Sequence, residues 1–496
     1  MKTTTYIMAV ALSTIVLTGC KKDFLDINQN PNSPERVDIK DVLPSAELAI
    51  GHVIGNNFQI YGCLWAGYWT QNPYSSQYKT IEQYSPAASD FDSPWRLCYS
   101  DALEDLNFVV KKGTELNKMQ YVACAKILQA YTFQILTDNF GDIPFSEALQ
   151  GEAGILAPKY DAQKDVYDGI IKLLNDGIAL IDVNATNGPT TNDLLLGGDM
   201  LMWKKFANTL KLRVYLRMAY VDPAKAILGV GSLSGVSFLG ETNDVVKDVK
   251  IKYTTNPGGT NPLYSVFSEI SNTQNLVASQ NCLYAMYSGP TVDSSDFRMT
   301  VFYDTIPGPD YDAIKQGFYT SSVPVSKISL PHPNTGANSL KASSAAAPVK
   351  LMSDYESLFL QAEAVARGWM AGNAKSLYED GIKANYFAYG LSTAQYNLYM
   401  AGPHTSPGYP TAGTMANQIE AIITQKYYSM CGNQGNEAWV EYRRTGFPSF
   451  MLPSVKSIIG LGKWPNRMFY PSTELTRNPN VPSQHLIYDK VWWDVN

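Results

Sequence analysis

The chain has 496 residues, of which 17% are charged and 12% aromatic, and a net charge of −6. That length is ample for a large core, and the acidic balance argues against a nucleic-acid partner. Beyond the extreme N-terminus, no apolar stretch approaches the roughly 20 residues that a membrane-spanning helix needs.

Lys2 is followed by an apolar run from Tyr6 to Leu17, interrupted only by Ser13 and Thr14. A charge, a short apolar stretch and small residues form the layout of a secretory signal. Leu17-Thr18-Gly19 leads directly into Cys20, which resembles the bacterial lipobox. The expectation is a signal peptide over 1–19 and a lipidated Cys20, since lasting anchorage needs more than one acyl chain. The polar stretch that follows holds Asn28-Gln29-Asn30-Pro31-Asn32-Ser33-Pro34. It buries no apolar face and reads as a tether over 20–41. The other cysteines are Cys63, Cys98, Cys124, Cys282 and Cys431. Wide spacing and an odd number argue against a disulfide framework, and no Cys-x-x-Cys pair suggests zinc. They read as small buried hydrophobes.

From residue 42 the helical period dominates. Helices are expected from Leu43 with Ser45 as a cap, then over Trp95–Val110, Tyr121–Thr137, Asp165–Ile181 and Met200–Tyr220, with Pro223 as a stop. From about 222 to 348 the chain is rich in Gly, Pro, Ser, Asn and Thr. Asn256-Pro257-Gly258-Gly259 and Ile306-Pro307-Gly308-Pro309 are turn chemistry, and Val249–Tyr253 reads as a short strand. Helices return at 349–445. Ser353-x-x-Glu356 has the capping-box pattern, and Gly372-Asn373 turns the chain into a second helix over Ala374–Tyr389. Two helices with so short a connection lie antiparallel, as in one tetratricopeptide-type unit. No clean repeat of about 34 residues is visible. The fold class is therefore mainly α: one domain over 42–496, with a helical body, a loop-rich insertion and an irregular C-terminal segment over 446–496.

Sugar and peptide ligands need flat apolar faces with polar groups at their rims. The densest such segment is Tyr61–Tyr84, containing Trp65, Trp69, Asn72, Tyr74 and Tyr78. Trp65 and Trp69 are four residues apart and fit a core stripe equally well. Asn72-Pro73 is a turn signal that favours exposure of Tyr74 and Tyr78. A second candidate set lies in the insertion: Tyr284, Tyr287 and Arg298. Arg298 also fits a structural role, as a clamp on a loop carboxylate. No Gly-x-Ser-x-Gly, His-Glu-x-x-His, Walker A or complete Gly-x-Gly-x-x-Gly pattern occurs. His52, His332, His404 and His485 are scattered. No cofactor and no metal site are expected. A glycoside hydrolase needs only two carboxylates, so it stays as a rival class, beside a helical-repeat scaffold that binds only proteins.

The C-terminal third carries an ordered motif series. Gln425-Lys426-Tyr427 precedes Glu437-Ala438-Trp439-Val440-Glu441-Tyr442-Arg443-Arg444-Thr445-Gly446-Phe447-Pro448. Arg467, Tyr470-Pro471, Glu474, Asn478 and Trp492-Trp493-Asp494 follow. Upstream stand Gly141-Asp142-Ile143-Pro144-Phe145-Ser146-Glu147-Ala148 and the run Trp203–Lys211. Together these resemble the SusD/RagB family of Bacteroidetes outer-membrane lipoproteins, with Tyr427 where that family usually has Trp. The resemblance implies a helical scaffold with tetratricopeptide-like pairs. It also implies a cell-surface, non-enzymatic protein that captures a glycan or other nutrient over a SusC-like TonB-dependent transporter. Such proteins commonly build part of the ligand face from the early aromatic loop. The Glu437, Glu441, Arg443 and Arg444 cluster is expected to be a structural ion-pair network.

Overall fold

The computed structural model describes residues 37–241, 244, 248–287, 296–402 and 408–495. Cys20 and most of the tether lie outside the described residues.

The first helix, α1 (Ile39–Gly55), starts earlier than its periodicity suggests. Asp38 caps it, accepting a hydrogen bond from the Lys40 amide at 3.1 Å, and the helix runs through Pro44 and Ser45. It is followed by α2 (Asn57–Trp65) and the short strand β1 (Trp69–Gln71). Gly67, at φ 66°, supplies the left-handed turn between them, a conformation open to glycine at little cost. Then come α3 (Lys79–Glu82) and α4 (Asp92–Arg96). The helix expected over Trp95–Val110 is composite. A π-helical turn over Leu97–Leu103 separates α4 from α5 (Glu104–Glu115).

Two long helices, α6 (Met119–Phe140) and α7 (Gln163–Leu180), make the most extensive pairing of elements. Next are α8 (Met200–Arg217) and α9 (Pro223–Gly231), capped by Asp199 and Asp222. The insertion is held by two small antiparallel sheets. β2 (Val249–Ile251) pairs with β4 (Val349–Met352), joining the insertion's two ends across one ladder. β1 pairs with β3 (Leu276–Ala278), in the register Trp69 to Ala278. Helix α10 (Gln280–Met286) leaves β3.

The pair α11 (Asp354–Ala366) and α12 (Ala374–Ala388) forms as expected from its turn. The capping box is half made. Ser353 accepts from the Glu356 amide at 3.2 Å, but the Glu356 carboxylate turns inward to Arg213 and Gln434. The chain then forms α13 (Thr393–Ala401), α14 (Met415–Ser429), α15 (Gly435–Thr445) and α16 (Ser472–Arg477). The five cysteines from Cys63 onward are free and buried.

Charges inside the helical body join α8, α11, α14 and α15. Arg217 donates to Glu437 at 2.6 Å and also to Glu441. Arg444 reaches Glu363 at 2.7 Å and Glu441 at 2.8 Å, and Lys426 reaches Glu441 at 3.0 Å. Burial pushes the Glu441 carboxyl up, but Arg444, Lys426 and Arg217 overcome it and hold the group well below the usual range. Such a network is costly to bury and more costly to break, because a lost partner leaves a charge without solvent. Arg443 departs from the expected pairing. It donates to the carbonyls of Asn466 and Asp138 and lies 3.7 Å from the centre of the Trp439 ring.

Candidate functional site

Five of the eight candidate ligand residues belong to the packed interior. Trp65 is fully buried, donates to the Ile81 carbonyl at 3.2 Å and lies 4.7 Å from the Trp439 ring. Trp69 is fully buried within β1. The chain leaves its helix between the two, so they share a core without sharing a helical stripe. Asn72 is buried, its amide donating to the Gln274 carbonyl at 2.7 Å. Tyr78 is buried beyond the proline turn and packs on Phe267, lining a cavity of about 350 Å³ with Asn56, Asn57 and Gln77.

Arg298 is enclosed completely. It donates to Asp296 at 2.5 Å, Gln425 at 2.6 Å and Ser429 at 3.2 Å, among the rings of Tyr386, Tyr399 and Tyr428. It therefore clamps the insertion to the C-terminal helices, the structural role open to it from sequence. Trp65, Trp69, Asn72 and Arg298 are enclosed by protein and Tyr78 is only 7% exposed where it lines that cavity, so these five are corrected to scaffold.

Tyr74 and Tyr284 are exposed, at 61% and 43%, and Tyr287 is partly buried against the core. The local hydrogen bonds explain why Tyr74 points outward. The buried Gln71 side chain donates to the carbonyls of Asn72 and Asn275 and accepts from the Tyr78 amide at 2.6 Å. Asn72 accepts from the Tyr74 amide at 3.0 Å, and Asn275 donates to Gln77. Both amide side chains thus hold the loop from beneath, which leaves Tyr74 on top. Its hydroxyl donates to the Val323 carbonyl at 3.3 Å. Tyr284 stands on α10, and its hydroxyl donates to Asp312 at 2.6 Å. Burial and the Asp312 carboxylate push that phenol up to about 12, so it stays a donor at physiological pH.

One segment, 312–323, therefore underlies both tyrosines: Asp312 meets Tyr284 and Val323 meets Tyr74. Between them Phe318 is exposed at 42%. Gln316 anchors the segment, donating to the carbonyls of Leu64 and Trp69 and to Glu82 Oε1. The Gly317 amide donates to Thr70 Oγ1 at 2.9 Å. Gly317, at φ 78°, would place a Cβ 1.9 Å from Ser454 Oγ, so the approach needs a glycine. The segment around 452–458 forms an edge to this face. Asn281 exchanges two hydrogen bonds with the Leu452 backbone, and the Val455 amide donates to the Gln316 carbonyl. Leu452, Val455 and Ile458 are exposed there.

Phe318, Gln316 and Asp312 were not among the residues singled out from sequence as ligand candidates. The available signal was weak: an aromatic pair, Phe318-Tyr319, directly after a glycine in a loop-rich insertion. Among the described residues, no group of three or more potential metal ligands occurs.

The arrangement defines a class of protein: a helical scaffold that presents exposed aromatic rings, from loops and from a short helix, beside carboxylate and amide groups. The chain belongs to the SusD-like family described as "Starch-binding associating with outer membrane", whose model matches residues 31–471. Solved structures agree with that fold. A SusD homologue from Bacteroides uniformis superposes with a TM-score of 0.76 at 23% identity, covering 92% of this chain and 99% of its own. A protein described as chitin-binding gives 0.75 at 25% identity, covering 92% and 100%. A chitin-binding SusD homologue from Flavobacterium johnsoniae gives 0.74 at 23% identity, covering 92% and 99%. No curated protein matches the sequence. Among the described residues, no helix is long and apolar enough to cross a membrane.

Proposed function

We propose that the protein is a cell-surface, lipid-anchored binding protein that captures a glycan and passes it to a SusC-like TonB-dependent transporter in the outer membrane. Family membership supports the class of ligand and the membrane association, and two similar structures are described as chitin-binding. The observation that carries the site is the position of Tyr74 and Tyr284. Both rings are exposed, and both hydroxyls are bonded to one anchored segment, 312–323. Rings held this way lose little freedom when a sugar stacks on them, so more of the contact energy appears as affinity. The Asp312 carboxylate offers acceptors to sugar hydroxyls beside the rings. The expected mechanism is retention, with no bond broken.

A glycan array on the mature protein identifies the ligand. Isothermal titration of Tyr74→Ala combined with Tyr284→Ala should then show at least a tenfold weaker affinity with an unchanged melting temperature. Unchanged affinity would remove this face from the site. Hydrolysis of the ligand by pure protein, abolished by a single carboxylate substitution, would overturn the binding role. For the anchor, Cys20→Ser should release the protein from the membrane fraction, and co-purification from detergent should recover a barrel with the wild type.

A further inference from the structure

A second concave region shares no residue with the face just described. Its volume is about 690 Å³, and its aromatic lining is the half-buried Tyr99 together with Trp95, which is only 5% exposed. That size lies within the roughly 300–1,000 Å³ common to small-ligand pockets. Two features of its wall carry a conformational cost. Tyr99 and Ser100 sit on the π-helical turn Leu97–Leu103, a geometry that recurs at functional sites. Across from them Leu149 is held at φ 62°, a left-handed conformation that a bulky residue rarely adopts. The Asn107 amide donates to the Leu149 carbonyl at 3.2 Å, and the Tyr99 hydroxyl donates to the Pro144 carbonyl at 2.7 Å. Strained positions of this kind cluster at binding sites, where the surrounding structure holds them.

The polar groups decide what the cavity accepts. Asp92 is occupied by Ser472 and Thr473, Glu474 by Tyr160, and Arg96 by Asp101. Glu104 and Arg477 line the same cavity from exposed positions. With Arg96, and with Asp92 and Glu474, whose carboxylates are met by uncharged hydroxyls, they give the lining charges of both signs. The Ser93 and Ser100 hydroxyls are also exposed at the lining. A lining of Tyr99, Pro144, Ala148, Leu149 and Pro158, with carboxylate, guanidinium and hydroxyl groups at its rim, matches a molecule with one apolar face and many hydroxyls.

We propose that this cavity is a second, separate binding site for a short neutral oligosaccharide. It rests on the glycan reading above for the class of ligand and not for its location. The test is titration with neutral chito-, malto- and cello-oligosaccharides of two to six sugars. It compares the wild type, the Tyr74→Ala/Tyr284→Ala variant and a Glu104→Ala/Arg477→Ala variant. Ser100→Trp, which obstructs the cavity from an exposed position, is a fourth protein. The face variant should retain a saccharide-binding event. The rim variant and Ser100→Trp should each lose one event or weaken it at least tenfold, with melting temperatures unchanged. If both cavity variants bind every oligosaccharide as the wild type does, the second site is refuted and the Tyr74 face stands. Loss of all binding in the cavity variants, with none in the face variant, retains the cavity and refutes the face. No binding by the wild type across the panel refutes the second site, while the glycan array decides the Tyr74 face.

Discussion

Glu82 ends α3 beneath the proposed ligand face and is almost wholly buried. Its Oε1 accepts from the Gln71 amide at 3.1 Å and from Gln316 at 2.9 Å. It thus links β1 to the segment under Tyr74 and Tyr284. Burial outweighs those donors and raises its carboxyl from the usual 4.5 to about 8. The folded protein therefore holds a proton that the unfolded chain releases above about pH 4.5. The stabilisation from the protonated acid is complete below that pH and is lost as the pH rises toward 8. Each pH unit in this window costs about 1.4 kcal/mol, less near its ends, so about 3 kcal/mol is lost between pH 5 and pH 8. Glu82→Gln keeps the accepting oxygen and removes the titration. At pH 5 the variant should be the less stable, since its added N–H groups lack an acceptor at a cost of about 1–3 kcal/mol. At pH 8 the order should reverse. Urea unfolding at several pH values, with a common slope, measures the difference. Parallel stability curves for the two proteins would refute a raised Glu82.

Other perturbations separate scaffold from site. Trp69→Ala should cost about 3–5 kcal/mol of stability, read as a lower denaturation midpoint, because the fully buried indole leaves a cavity. Arg444→Ala removes a buried cation from both Glu363 and Glu441, leaving Arg367 on the one and Arg217 with Lys426 on the other, and should cost about 3–5 kcal/mol in the same assay. Against the upward push of burial, neighbouring cations hold Glu363 and Glu441 below their usual range. Their contribution is present above the unfolded pKa and is lost as the pH falls through the lowered folded values. The variant should therefore lose less on acidification than the wild type. Gly62→Ala should cost at least about 1–3 kcal/mol, since its Cβ would lie 2.2 Å from the Asn436 amide nitrogen, where α2 meets the start of α15.

The helix α7 was legible because its apolar positions repeat with the helical period, whereas α6, buried on nearly every side, was legible from the length of its apolar run, and the α11–α12 pair from its capping residue and its turn. The π-helical turn was not, since Leu97–Leu103 keeps an apolar pattern that an ordinary helix also satisfies. The helix start was displaced because Asp38 and Ser45 are both competent caps, and tertiary burial of Ile39, Val42 and Leu43 favours the earlier one. In the aromatic segment, composition could not sort core from surface. Tyr74 and Tyr78 stand on the same side of Pro73, yet one is exposed and the other buried. The sorting comes from Gln71 and Asn72, whose amides meet Asn275 and Gln274, 204 and 202 residues away. No local pattern encodes partners that distant.

The same separation explains why the family motifs speak to the scaffold more than to the ligand. Glu437, Glu441, Arg444 and Lys426 are ordered along the sequence because the charges they bury must meet. Changing one leaves another uncompensated, so the motif is readable from the chain. Tyr74, Phe318 and Tyr284 carry no such obligation. Their side chains reach solvent, while the positions beneath them are held by Gln71, Gln316 and Asp312. A ring on that face can therefore be exchanged at small cost to the fold, whereas its buried amide support cannot. In the proposed site, ligand preference would belong to the exposed rings and their spacing, and the precision with which they are held to the buried amides.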